Sequence, residues 1–115
     1  VWRALTAPDE VTRWSGVMPH RVPAYYPRPG DYAIWRDDHT GVLLHDVIVR
    51  AEPNRRLTSR LKLGSALVNE DYLLRADGPR RTHLRAAWRG APALAAGNDV
   101  LMRRLKAWCE TPVHG

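Results

Sequence analysis

The chain holds a single cysteine, no phenylalanine and only two lysines, and it has no long apolar run. Each shortage excludes something. Cys109 has no second cysteine to pair with, so no internal disulfide supports the fold, and a reducing, cytoplasmic setting is expected. No segment approaches the ~20 apolar residues of a membrane span, and no basic-then-apolar signal opens the sequence. The five histidines never stand three or four apart and no Cys-x-x-Cys occurs, so the usual zinc spacings are missing. Gly30, Gly41, Gly64 and Gly78 stand singly rather than in a phosphate loop, and there is no Gly-x-Ser-x-Gly elbow. No metal and no cofactor are therefore expected.

What is present fits one globular domain spanning residues 1–115, with 44% apolar and 26% charged residues. The net charge is +6, from sixteen arginines and two lysines against twelve acidic residues. The arginines are scattered singly and in the pairs Arg55-Arg56, Arg80-Arg81 and Arg103-Arg104, rather than gathered on one element. That distribution reads as a solvated surface. A basic nucleic-acid binder is the less favoured alternative, and no specific nucleic-acid partner is expected.

Punctuation divides the chain into helix, sheet and helix. Val1–Thr6 reads as a short helix with nothing before it to cap its first amides, which points to a missing upstream segment. Asp9 to about Trp14 reads as a second helix, ended by Ser15-Gly16. His20–Tyr26 reads as an edge strand because Pro23 cannot donate to a ladder. Strands follow over Asp31–Arg36, Val42–Ala51, Arg56–Leu63, Ala66–Arg75 and Arg81–Trp88, separated by short Gly, Pro, Asp and Asn turns, as in an antiparallel meander. After Gly90-Ala91-Pro92, the residues Leu94, Asn98, Leu101, Leu105 and Trp108 repeat at helical spacing, with Arg103 and Arg104 off that face. The expected class is α+β: a curved antiparallel sheet wrapped around a long C-terminal helix, with two short helices in front.

Three stretches carry a resemblance to a known family. Val1-Trp-Arg-Ala-Leu-Thr-Ala-Pro-Asp-Glu-Val-Thr-Arg-Trp14 is similar to the opening helices of the START-like helix-grip (SRPBCC) superfamily, in its polyketide cyclase/dehydrase-like branch. Val49-Arg-Ala-Glu-Pro-Asn-Arg-Arg-Leu57 resembles its strand–turn–strand step, and Tyr72-Leu-Leu-Arg-Ala-Asp-Gly-Pro-Arg-Arg-Thr82 its next hairpin. Leu101–Trp108 resembles the closing helix. The family's first strand is missing, so the domain would be N-terminally incomplete and an upstream strand would belong beside Arg81–Trp88. The resemblance implies a cavity for a hydrophobic or amphipathic small molecule. It does not fix one reaction, since the superfamily spans cyclases, carriers and receptors.

The same resemblance turns Ala51 inward, and period two then takes Val49, Val47 and His45 inward. It also turns Tyr72 and Leu74 inward, and with them Glu70, while a bulge would flip such assignments by one residue. The expected acid/base groups are therefore His45 and Glu70, with Tyr72 steadying a developing oxyanion. Tyr32, Trp35, Val47, Val49, Ser59, Leu61, Trp88, Asn98 and Leu101 are the expected ligand contacts, the aromatic residues offering flat faces with polar tips. If His45 and Glu70 instead face outward, Asp46 and Asp71 are simply solvated. The leading expectation is a small-molecule-binding protein acting as a cyclase or dehydratase, either monomer or homodimer. A non-catalytic carrier and a protein–protein interaction module are the alternatives.

Overall fold

A computed structural model describes residues 1–90 and 98–111, with the side chains of Asn98 and Asp99 left aside. The order is α1 (Trp2–Thr6), α2 (Pro8–Ser15), six strands, then α3 (Asn98–Glu110). The strands are β1 (Val17–Arg21), β2 (Tyr32–Asp37), β3 (Leu43–Glu52), β4 (Arg56–Leu63), β5 (Ala66–Ala76) and β6 (Thr82–Gly90). They form one curved antiparallel sheet in the order β1-β2-β3-β4-β5-β6. This is the α+β class expected from the punctuation.

Local chemistry explains the two front helices. Pro8 occupies the first turn of α2, where its missing N–H costs nothing, and Asp9 and Glu10 sit at the positive end of the helix. Gly16 ends α2 in the left-handed region at φ 78°, and its N–H donates to the Thr12 carbonyl. Trp14 is buried, and its indole N–H donates to the Ala4 carbonyl at 2.6 Å, locking α2 onto α1. Glu10 joins both ends of the chain. One carboxylate oxygen pairs with Arg3 at 3.0 Å, and the other accepts from the Trp108 indole at 3.1 Å.

The first strand departs from expectation. It runs over Val17–Arg21 rather than His20–Tyr26, and the register slips between Pro19 and Arg21, where His20 is the extra residue. Pro19 is accommodated there because β1 lies at the sheet edge.

A second slip, on β3, matters more. Ile48 pairs with Ser59 and Arg50 with Thr58, so Val49 is an inserted residue. On the Ala51 side of the bulge, the alternation puts Ala51 with Leu57 and Tyr72 on the concave face, as expected. On the other side it is reversed. Ile48, Asp46 and Leu44 face inward, and Val49, Val47 and His45 face outward. The inward placement of those last three residues is therefore corrected, and the cause is one added residue in a period-two element.

The concave face packs against α1, α2 and α3. One cluster joins Leu5 and Trp14 to Ile48, Leu57, Tyr72, Leu74 and Leu105. A smaller one joins Val11 to Ala33 and Trp35. On α3, Leu105 is 2% exposed, Leu101 and Trp108 are half-buried against the larger cluster, and Arg103 and Arg104 are exposed. Leu94 lies outside the described residues. Among the described residues, no helix is long and apolar enough to cross a membrane.

Candidate functional site

Between the two clusters the concave face leaves a pocket of about 260 Å3. Leu5, Val11 and Trp14 of the front helices and Leu101 of α3 close one side, and strands β1 to β6 form the other. Its wall is apolar except for Asp46, Glu70, Ser15, Ser59 and the polar tips of tyrosines and tryptophans. Among the described lining residues there is no lysine, arginine or histidine, although the chain carries 18 lysines and arginines.

Register places the polar groups. Ile48, Ser59, Glu70 and Trp88 form one rung across four strands on the concave face, and the last three line the hollow. The neighbouring outward rung holds that register firmly. Arg56 grips Asp71 with two hydrogen bonds of 3.0 and 2.8 Å, and the Thr58 hydroxyl donates to the same carboxylate at 2.8 Å. Arg56 beside it keeps the Asp71 carboxyl below the ordinary range. With Asp71 fixed outward, period two sends Glu70 and Tyr72 inward.

Glu70 is received by partners on both neighbouring strands. The Trp88 indole donates to one oxygen at 2.8 Å, and the Ser59 hydroxyl approaches the other at 3.4 Å. Burial is the dominant influence and lifts the carboxyl from 4.5 to about 7, against the lowering effect of the indole; the second carboxyl, Asp46, pushes the same way as burial. Near neutrality Glu70 is therefore populated both with and without its proton. Tyr72 is buried and its ring meets Trp88 edge-on, with centroids 6.0 Å apart. Burial and the Glu70 charge push its phenol well above the usual value, so it stays a donor.

Asp46 makes the other half of the site. It is 4% exposed and sits on the rung with Ala33, Leu61 and Val68. Its Oδ2 accepts from the Tyr26 hydroxyl at 2.6 Å and from the Trp35 indole at 3.2 Å. Its Oδ1 is buried and has no hydrogen-bond donor among the described residues. Burial raises its pKa, opposed by the two donors.

Of the expected site residues, the pocket brings together Glu70, Tyr72, Trp35, Ser59, Leu61, Trp88 and Leu101. His45 and Tyr32 do not join them. They hydrogen-bond to one another on the convex face, where Tyr32 is 51% exposed. Val47 pairs with Tyr32 and Arg60 on that face, and Val49 is 46% exposed. Asn98 begins α3, and its side chain lies outside the described residues. Asp46 and Tyr26 were not anticipated, and Asp46 is buried rather than solvated. The step Leu44-x-Asp46-x-Ile48 held a signal for it, but His45-x-Val47-x-Val49 alternates equally well, and only the bulge decides between them. Among the described residues, no three His, Cys, Asp or Glu side chains group as metal ligands.

No family model and no curated protein matches the chain. Solved structures share its architecture. The chain is similar to protein CV1439 from Chromobacterium violaceum, with 15% identity and a TM-score of 0.74 over 96% of this chain and 87% of that one. It is similar to DynU16, a protein of the dynemicin biosynthetic locus, with 20% identity and a TM-score of 0.73 over 96% of this chain and 42% of that one. CalU16 from Micromonospora echinospora is 20% identical, with a TM-score of 0.69 over 95% of this chain and 66% of that one. At such identities the likeness is one of fold, and it places the chain among α+β proteins whose curved antiparallel sheet grips a C-terminal helix.

Proposed function

We propose that the chain binds a hydrophobic or amphipathic small molecule in the hollow of its sheet, and that Glu70 gives or takes a proton there, as in a cyclase or dehydratase of the helix-grip type. The observation that carries the reading is Glu70 itself. It is a carboxyl held by Trp88 and Ser59 in an apolar hollow, with its proton equilibrium near pH 7. Acid/base groups work best when their pKa lies near the working pH. Tyr72, kept protonated beside it, would hydrogen-bond an oxygen on which negative charge develops. The volume of about 260 Å3 lies just under the roughly 300–1,000 Å3 of small-molecule pockets. The place of DynU16 in a biosynthetic locus agrees with work on a small molecule. His45 has no part in this reading, because it stands on the convex face.

Two probes test it. N-phenyl-1-naphthylamine, a neutral dye that brightens in apolar surroundings, is expected to bind saturably with a Kd in the range of about 1–100 μM. For proton transfer the probe is 5-nitrobenzisoxazole. Its ring C–H proton passes to a carboxylate base while the N–O bond breaks to give a nitrophenolate. The rate is expected to rise with pH through about 7 as Glu70 ionises, and to fall at least about tenfold in Glu70→Gln. Dye binding without a Glu70-dependent rate would leave a carrier. No saturable dye binding would end both readings.

A further inference from the structure

The polar chemistry of the pocket has one sign. The two carboxyls, Asp46 and Glu70, face the same apolar hollow, and no described lining residue is cationic. Everything else polar on the wall is a neutral hydroxyl or indole. Tyr26 and Trp35 donate to Asp46 Oδ2, Trp88 and Ser59 serve Glu70, Trp14 and Ser15 donate to the Ala4 and Val11 carbonyls, and the Tyr72 hydroxyl stands beside Glu70. Asp46 Oδ1 is left over. It is an acceptor on a residue 96% buried, beside the hollow, with no donor among the described residues. A buried, unmatched carboxylate oxygen costs free energy unless something donates to it. Aromatic rings flank the same space. Tyr26 meets Trp35 edge-on at 5.8 Å and Tyr72 meets Trp88 at 6.0 Å, and all four side chains line the pocket.

We infer that the pocket takes a protonated amine carried on an apolar scaffold, with the ammonium donating to Asp46 Oδ1 and offsetting the charge of Glu70. This deepens the small-molecule reading and rests on it, but it does not depend on the proton-transfer step. An ammonium supplies the missing donor and the missing positive charge together. A neutral hydroxyl supplies only the first, and a carboxylate supplies neither. Aromatic faces add attraction for a cation and none for an anion. A charge-assisted hydrogen bond is also about twice as strong as a neutral one. Anionic amphiphiles are thus the class this wall repels, despite the basic surface of the chain.

Three probes of matched skeleton decide the matter: 2-(1-naphthyl)ethylamine, 2-(1-naphthyl)ethanol and 1-naphthylacetate. Each is titrated into the full chain by calorimetry, or by displacement of N-phenyl-1-naphthylamine, at pH 7.5. The amine is expected to bind about tenfold or more tighter than the alcohol, and the carboxylate to bind weakest. In Asp46→Asn the amine should lose about tenfold while the alcohol changes by less than about threefold. If that variant does not fold, the wild-type ranking decides alone. An alcohol or carboxylate that binds as tightly as the amine overturns the inference and leaves the apolar-ligand reading standing. If none of the three probes binds, and the dye does not either, both fall.

Discussion

Replacing Glu70 with glutamine should make the protein more stable, and increasingly so as pH rises. Folding moves this carboxyl from water into the hollow, and burial lifts its pKa from 4.5 to about 7. Between those two values the folded chain holds a proton that the unfolded chain has released. Stability therefore falls as pH climbs from about 4.5 to about 7, and is level on either side. At about 1.4 kcal/mol per pH unit, the loss amounts to as much as about 3 kcal/mol by pH 8. Glutamine has the same shape and never ionises. Its carbonyl oxygen can accept from the Trp88 indole, and its amide can donate to the Ser59 hydroxyl, so both contacts of 2.8 and 3.4 Å persist. Urea unfolding followed by tryptophan fluorescence at pH 4, 5, 6, 7 and 8 reads the effect, with every other titrating group common to both proteins. The stability of the variant relative to wild type should grow by about 3 kcal/mol from pH 4 to pH 8, or roughly 12 °C in midpoint. The nearby Asp46 carboxyl pushes Glu70 the same way as burial does, so relief from that repulsion is part of the gain. A difference that is flat with pH, or a wild type that gains on the variant toward pH 8, would show that Glu70 is solvated and would refute the account of the pocket. The outcome also bears on function, since a residue kept at such a cost to stability marks a working site.

Three further outcomes follow from the packing. Leu105→Ala, at a side chain 2% exposed between α3 and the sheet, should cost about 2–5 kcal/mol in chemical denaturation. His45→Ala should change stability by less than about 0.5 kcal/mol and leave dye binding as it is, because its partner Tyr32 is exposed on the convex face. A loss of dye binding in that variant would put His45 back at the site. Gly90→Ala places a methyl group 2.1 Å from the Leu67 carbonyl oxygen at φ +136°, and should destabilise the β5–β6 pairing by about 1–3 kcal/mol, read as faster amide exchange at Val68.

Local chemistry along the chain set the elements and most of their order. Pro8 with Asp9 and Glu10, and then Gly16, bound α2, and the turn residues cut the middle of the chain into a meander. Strands whose two faces differ in polarity, such as β4 with Leu57, Ser59, Leu61 and Leu63 against Thr58, Arg60 and Lys62, could be oriented without a structure. Glu70 and Tyr72 were legible from the family resemblance of the Tyr72–Thr82 hairpin together with period two, and the Arg56–Asp71 pair on the opposite face agrees with that orientation. Strand β3 could not be read this way. Over Leu43–Val49 both of its faces carry apolar residues plus one ionisable group, His45 on one and Asp46 on the other, so hydropathy does not choose between them. Only the pairing with β4 decided it, where two residues of β3 span one residue of β4 and Val49 is the excess. A bulge leaves little trace in a single strand, because its cause lies in the partner strand and in the curvature of the sheet. The same is true of Asp46 and Tyr26. They are twenty residues apart in the chain and become one hydrogen-bonded pair at 2.6 Å only when the loop after β1 folds back over the sheet. Local chemistry decided what each segment would become. Tertiary pairing decided which ionisable group of β3 faces the hollow, Asp46 rather than His45, because that depends on a count of residues across two strands.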